Sequence, residues 1–252
     1  MGASEKPAGL CLALCSASRI ASVALLEGDR LLLERSAETD RHQAESLLPL
    51  VDEVLSATST RLGDLAGIGL SIGPGSFTSL RICVATVKGL VFGTSLPVVP
   101  VSTLQALAFA GGQGESDAQA IVATFNAQRD EVYAAGFAGA GGGFAARPDV
   151  LGELVYSADE LAELLPAGCR LVGDGVAVVA ERLAELRGEE ITCDLKAPRE
   201  AMAASIGQLA AAALTRGEGR GASDLAPNYV RRAEAEVTRT SERFEPPAGA
   251  GG

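Results

Sequence analysis

The stretch Ser71-Ile72-Gly73-Pro74-Gly75-Ser76-Phe77-Thr78-Ser79-Leu80-Arg81 decides how this chain is read. It continues the apolar run Ile68–Ile72, which has the composition of a buried strand. It leads into Phe77–Phe92, where Leu80, Cys83, Val84, Val87 and Val91 recur at helical spacing. Glycines allow the tight corner between them, and Ser76 and Thr78 sit in the first turn of the helix. Such a corner either holds a phosphate on free N–H groups, with Gly73, Gly75 and Ser76 as candidates, or is a structural turn capped by hydroxyls. It is not a P-loop, because no Gly-Lys-Ser/Thr closes it. Ile82, Ala85 and Gly89 give the helix a second apolar face, with only Arg81 and Lys88 charged, so it needs cover on more than one side.

Outward from this corner the pattern alternates. Leu10–Cys15, Ile20–Leu26 and Leu31–Arg35 read as three strands, the last two joined at Glu27-Gly28-Asp29. Ala44, Leu47, Leu48, Val51, Val54 and Leu55 make Gln43–Leu55 an amphipathic helix. Val98–Pro100 is a short strand, and Ser102 caps a helix through Leu107. After a glycine-rich break at Gly111–Gly114, strands recur at Ala120–Phe125 and Glu131–Phe137, followed by a flexible loop at Gly139–Gly143. A helix at Ala158–Leu165, a strand at Arg170–Val172, a helix at Val176–Leu186, a strand at Ile191–Cys193 and an Ala-rich helix at Ala201–Arg216 complete the pattern. The order predicts an α/β protein of two lobes, each a mixed sheet with flanking helices. Residues 1–110 form the first lobe, 111–200 a smaller second one, 201–232 a helix and segment packing back, and 233–252 a disordered tail.

Composition narrows the function. The 252 residues are 47% apolar and 21% charged, too apolar for disorder, and with 4% aromatics and no Trp the core is aliphatic. A net charge of −11 repels a phosphate backbone, so nucleic acid is expected only indirectly, through a basic partner. Residues 1–9 contain no apolar signal region, and no apolar run reaches the ~18 residues of a membrane span; the expectation is a cytoplasmic protein. Cys11, Cys15, Cys83, Cys169 and Cys193 are odd in number and form no C-x-x-C pair, which fits reduced, buried thiols. His42 is the only histidine, so a two-imidazole metal site is excluded and no metal ligands are assigned; a serine-hydrolase triad would lack its G-x-S-x-G elbow.

Ser71–Arg81, continued through Val84-Ala85-Thr86-Val87-Lys88-Gly89-Leu90, resembles the signature of the TsaB (YeaZ) family. So do Leu12-Ala13-Leu14 with Ala21–Leu25, Arg41–Pro49, Glu131-Val132-Tyr133 and Pro227-Asn228-Tyr229-Val230-Arg231. The resemblance implies a two-lobed actin/sugar-kinase-like (ASKHA) fold. It also implies a non-catalytic accessory subunit of the machinery that makes threonylcarbamoyl-adenosine in bacterial tRNA. Such a subunit pairs with a TsaD-like catalytic partner, helps recruit a TsaE-like ATPase, forms a homodimer in isolation and meets tRNA only through the complex. Relatives carry Asp-Thr-Ser where this chain has Cys15-Ser16-Ala17, and Asp-Ala-Arg where it has Asn126-Ala127-Gln128. A thiol is a poor ligand for Mg²⁺. Both departures argue against independent ATP turnover by a kinase or ATPase, and a metallopeptidase is more remote still. No catalytic residue and no cofactor of its own are assigned; ATP or ADP is admitted at a composite interface, with Ser16, Ser18, Gly73, Gly75 and Ser76 as candidate contacts.

In that family the helix pair is the docking surface. On this chain the two helices are expected to hold more apolar area than one sheet covers, leaving a seam of Leu47, Leu48, Val51, Leu55, Leu80, Val84 and Val87 for a partner.

Overall fold

A computed structural model of the chain describes residues 9–38, 43–112, 120–140, 143–196 and 202–230. The first lobe runs β1 (Leu10–Cys15), β2 (Ile20–Glu27), β3 (Arg30–Glu38), α1 (Gln43–Ala57), β4 (Leu65–Gly73), α2 (Phe77–Leu90), β5 (Val98–Ser102) and α3 (Thr103–Gly111). Its sheet has the order β3-β2-β1-β4-β5, the hairpin strands antiparallel and β4 and β5 parallel to β1. The second lobe runs β6 (Ile121–Asn126), β7 (Glu131–Ala140), β8 (Gly143–Ala146), β9 (Leu154–Ser157), α4 (Ala158–Leu164), β10 (Arg170–Val172), α5 (Val176–Arg187) and β11 (Thr192–Cys193). Its sheet follows the same path, β8-β7-β6-β10-β11, with β9 added on β7. One topology is thus built twice, as the two-lobed architecture requires. Within Gly139–Gly143, expected as a flexible loop, the described residues are paired in the β7–β8 ladder, Gly139 opposite Phe144 and Ala140 opposite Gly143, and residues 141–142 lie outside the described residues. His42 and the tail beyond Val230 lie outside the described residues.

The two-residue period of β1 sorts its side chains between two cores. Leu12 and Leu14 face α1 and α2, while the smaller Cys11, Ala13 and Cys15 face the other way. That second side holds α6 (Ala203–Thr215), rich in alanine. Small residues line the whole contact. A Cβ on Gly69 of β4 would stand 2.5 Å from Ala210 Cβ, and one on Gly207 of α6 would stand 2.0 Å from Leu26 Cδ1. The start of α6 is tied to the sheet as well: Ala203 N donates to Ser22 Oγ (3.2 Å) and Ala204 N to a Glu34 carboxylate oxygen (3.0 Å). These side chains satisfy two of the N–H groups that a helix start leaves without internal partners.

The core around α6 does not stop at the first lobe. It takes in Leu104 and Leu107 of α3, Ile121, Ala123 and Phe125 of β6, and Val172 of β10. The layers are therefore α1/α2, first sheet, α6 with α3, second sheet, and α4/α5, with a separate core under the last pair.

The expected seam needs correction. Leu47, Val51, Leu80, Val84 and Val87 are buried inside the first lobe, so they are core residues and not a surface. Of the seven, only Leu48, 52% exposed, and Leu55, half-buried, face outward. The reason is that the sheet is not the only cover. The helices pack on each other, and the segment after α6 returns across the lobe, placing Leu225 and Ala222 in the same core while Lys88 Nζ donates to Ser223 O (3.1 Å).

Substituting Gly69→Val places branched carbons where Ala210 already stands. We expect it to lower the unfolding free energy in urea by about 1–3 kcal/mol or more, the cost of overpacking; an unchanged midpoint would mean that the α6 contact is looser than described.

Candidate functional site

Two corners face each other across a cleft of about 530 Å³ between the lobes. The first is the β1–β2 turn against the β4–α2 corner. Ser76 N donates to Ala17 O (2.8 Å), and a Cβ on Gly75 would stand 2.6 Å from that same oxygen. Ser79 Oγ donates to Ser76 Oγ (2.7 Å) and the buried Ser16 Oγ donates to Ser79 O (2.8 Å). Ser18, Gly75 and Ser76 line the cleft, with Arg19 beside them. Ser16 and Gly73 do not. Ser16 is engaged below the surface, and Gly73, at φ +117, lies under Asn228, whose carbonyl oxygen would be 2.7 Å from an added Cβ. Of the five candidate contacts, the structure brings three together. The Gly-Pro-Gly corner is first a structural joint: its Ser76 N–H is engaged by the neighbouring turn.

The second corner belongs to the other lobe. Gln128, Arg129 and Asp130, at the turn between β6 and β7, all have φ between +57 and +66, a left-handed run that non-glycine residues rarely adopt. Asn126 holds it: its Oδ1 accepts from Gln128 N (2.7 Å), while its own N–H donates to Asp174 Oδ1 (3.1 Å). Among the described residues Asp174 is the only carboxylate lining the cleft and Arg19 the only cation. Among the described residues no group of three or more His, Cys, Asp or Glu could hold a metal ion. Cys15, at the end of β1, is buried, and desolvation raises its thiol above the ordinary range, so it contributes no charge. The cleft volume falls within the range of sites that enclose a small molecule.

Sequence reading missed the strap that locks the first corner, although it quoted Pro227–Arg231. Asn228 N donates to Ile72 O (2.7 Å), and Tyr229 stacks on Phe77 with centroids 4.6 Å apart. Arg81 Nε donates to Tyr229 Oη (2.8 Å), its guanidinium 3.9 Å above the Phe77 ring. Asn228 Nδ2 donates to Glu153 Oε1 (2.6 Å) and Ser102 Oγ to Glu153 Oε2 (3.3 Å), so a second-lobe carboxylate fastens the strap.

Away from the cleft, the outward sides of α1 and α2 set apolar and small residues beside the exposed charges Asp52, Glu53 and Arg81. Leu48 and Leu55 belong to the first; Ile82, Ala85 and Gly89 to the second. A Cβ on Gly89 would meet nothing within 4 Å.

Comparison with known proteins follows this geometry. Residues 36–239 match the family described as TsaD: tRNA N6-adenosine threonylcarbamoyltransferase. A solved structure from Pseudomonas aeruginosa, described as similar to peptidase YEAZ, superposes with a TM-score of 0.73 at 30% identity, over 88% of this chain and 100% of that one. The chain belongs to the TsaB/YeaZ family. The tRNA threonylcarbamoyladenosine biosynthesis protein TsaB of Haemophilus influenzae is 36% identical over 123 residues, 48% of this chain and 51% of that protein. The TsaB of Escherichia coli is 34% identical over 122 residues, covering 48% and 52%. The chain spans about half the length of the curated relatives it matches. No helix among the described residues is long and apolar enough to cross a membrane.

Two measurements check the site. Burial raises the Glu153 carboxyl above the usual range, and the bonds from Ser102 and Asn228 pull it back. With its folded-state pKa raised, Glu153 itself favours folding at low pH, a contribution lost as pH rises through the shifted value. The Asn228 amide favours the ionised form. Asn228→Ala is therefore expected to cost about 1 kcal/mol at neutral pH and less once the carboxyl protonates; urea unfolding at neutral and acidic pH reads the difference, and a cost that grows on acidification contradicts it. For the thiols, burial pushes Cys11 and Cys83 up to about 12 and Cys169 up to about 11. At mildly alkaline pH an aromatic disulfide reagent should label only the half-buried Cys193 in the native chain, and all five thiols after denaturation.

Proposed function

We propose that this chain is an accessory subunit in the threonylcarbamoyl-adenosine modification of tRNA, holding a TsaD-like catalytic partner against the outer face of α1 and α2. The observation that carries this reading is the outer stripe itself. Leu48, Ile82, Ala85 and Gly89, with the half-buried Leu55, give two packed helices a face of apolar and small side chains bordered by the charges Asp52 and Arg81, and small residues let another helix approach closely. Support comes from the relatives, whose names place them in tRNA threonylcarbamoyladenosine biosynthesis, and from a family described as the transferase. In this reading the chain has no catalytic residue of its own. In this reading the subunit helps recruit a TsaE-like ATPase, meets tRNA through the assembled complex, pairs with itself when no partner is present, and contacts ATP or ADP only where subunits meet.

The test separates surface from core. Leu48→Glu and Ala85→Glu put a charge on the outer face, and co-purification with the TsaD-like partner should be lost while the thermal midpoint stays. Leu47→Glu, one residue along, buries an unpaired charge and should unfold the chain at a cost of several kcal/mol. Retention of the partner by both surface variants overturns the docking assignment. Steady ATP turnover by the purified chain, unaffected by Leu48→Glu, would favour the ATPase reading.

A further inference from the structure

At the other end of α2 lies a second cavity, of about 490 Å³, between residues 91–97 and the returning segment 219–223. Its apolar lining comes from Val91, Leu96, Pro97 and Ala222. Among the described residues two cations line it, Lys88 and Arg220, and no carboxylate does, in a chain with 32 acidic residues against 21 basic ones. Lys88 gives one hydrogen bond to Ser223 O and keeps two further N–H donors. The Arg220 backbone is pinned on both sides to Val98, through Arg220 N to Val98 O (3.0 Å) and Val98 N to Arg220 O (2.8 Å), which fixes where its guanidinium starts. Glu218, two residues before Arg220, is paired with Arg216, which leaves Arg220 without that neighbour's charge. Beside these groups stands Phe92, 89% exposed, the most exposed of the large apolar side chains among the described residues.

We infer that this cavity binds a small organic anion with a flat apolar body, the anionic group held by Lys88 and Arg220 and the flat body laid on Phe92 and the aliphatic floor. Two cations without a counter-charge favour a ligand that brings one. An exposed aromatic ring beside them offers a stacking face. The volume falls within the range of sites that enclose a small molecule. The inference does not rest on the proposed docking: Lys88 shares α2 with Ala85 and Gly89, but none of the groups used here is one of the docking residues named above.

Phenyl phosphate and inorganic phosphate serve as probes, titrated into the full chain at low salt and followed by calorimetry. Phenyl phosphate should bind saturably, with inorganic phosphate about tenfold weaker or more. The Lys88→Gln/Arg220→Gln double variant should weaken phenyl phosphate at least about tenfold at an unchanged thermal midpoint. Phe92→Ala should bring phenyl phosphate down towards inorganic phosphate. Should the double variant lose stability, Ala222→Trp, which fills the cavity from its floor, replaces it and should abolish binding. The inference is overturned if phenyl phosphate does not saturate, if it binds no better than inorganic phosphate, if the charge-neutralised or filled variant binds as the parent does, or if Phe92→Ala leaves the preference intact.

Discussion

The close seat of α6 on the first sheet is the contact on which the rest of this structure depends. A helix packs against strands this tightly only where side chains are small, and Ala13, Gly69 and Gly207 supply that condition from both sides. The helix start is held by Ser22 and Glu34, so both its position and its direction are set by the first lobe. Its opposite side, together with α3, then faces the second sheet. Because the same core includes Phe125 and Val172, the lobes are joined by buried apolar contact as well as by the chain connection. The cleft inherits its walls from that arrangement.

The returning segment after α6 is the second determinant. By placing Leu225 under α2, clamping Asn228 over Gly73 and stacking Tyr229 on Phe77, it supplies cover that a count of sheet area omits. This is why five apolar residues on α1 and α2 are core while the outer stripe is narrower and made of smaller groups. An amphipathic helix identifies its apolar face from sequence, but not the number of elements that meet it.

What was legible in the chain follows from range. The continuous apolar run of β1, the Ser102 cap, whose Oγ accepts from Gln105 N, and the duplicated order of strands and helices are written in local sequence. The β4–α2 corner was legible as geometry, through its glycines. Its purpose was not, because the partners are distant: Ser16 reaches Ser79, Glu153 reaches Asn228, and Arg81 reaches Tyr229 from 148 positions away. The left-handed run Gln128–Asp130 carries no glycine to announce it, and is sustained by the Asn126 side chain and Asp174. The short strand β9 escaped because Leu154–Ser157 is too brief for a period to show.

The same contacts explain why function is sought on a surface instead of in the cleft. At a nucleotide site, backbone N–H groups at a helix start and free carboxylates have to wait for their ligand. Here Ser76 N–H bonds to Ala17, Gly75 is closed against the same turn, and Asp174 accepts from Asn126. These cleft groups also hold the two corners in place. On the outside of α2 the balance is reversed: Gly89 has open space above it, and Ala85 presents a methyl group to solvent. Glycine in a helix costs about 1 kcal/mol relative to alanine. At Gly89 no neighbour among the described residues requires that sacrifice. A close-packed partner would, and this ties the chain's rigid interior to the role proposed for its face.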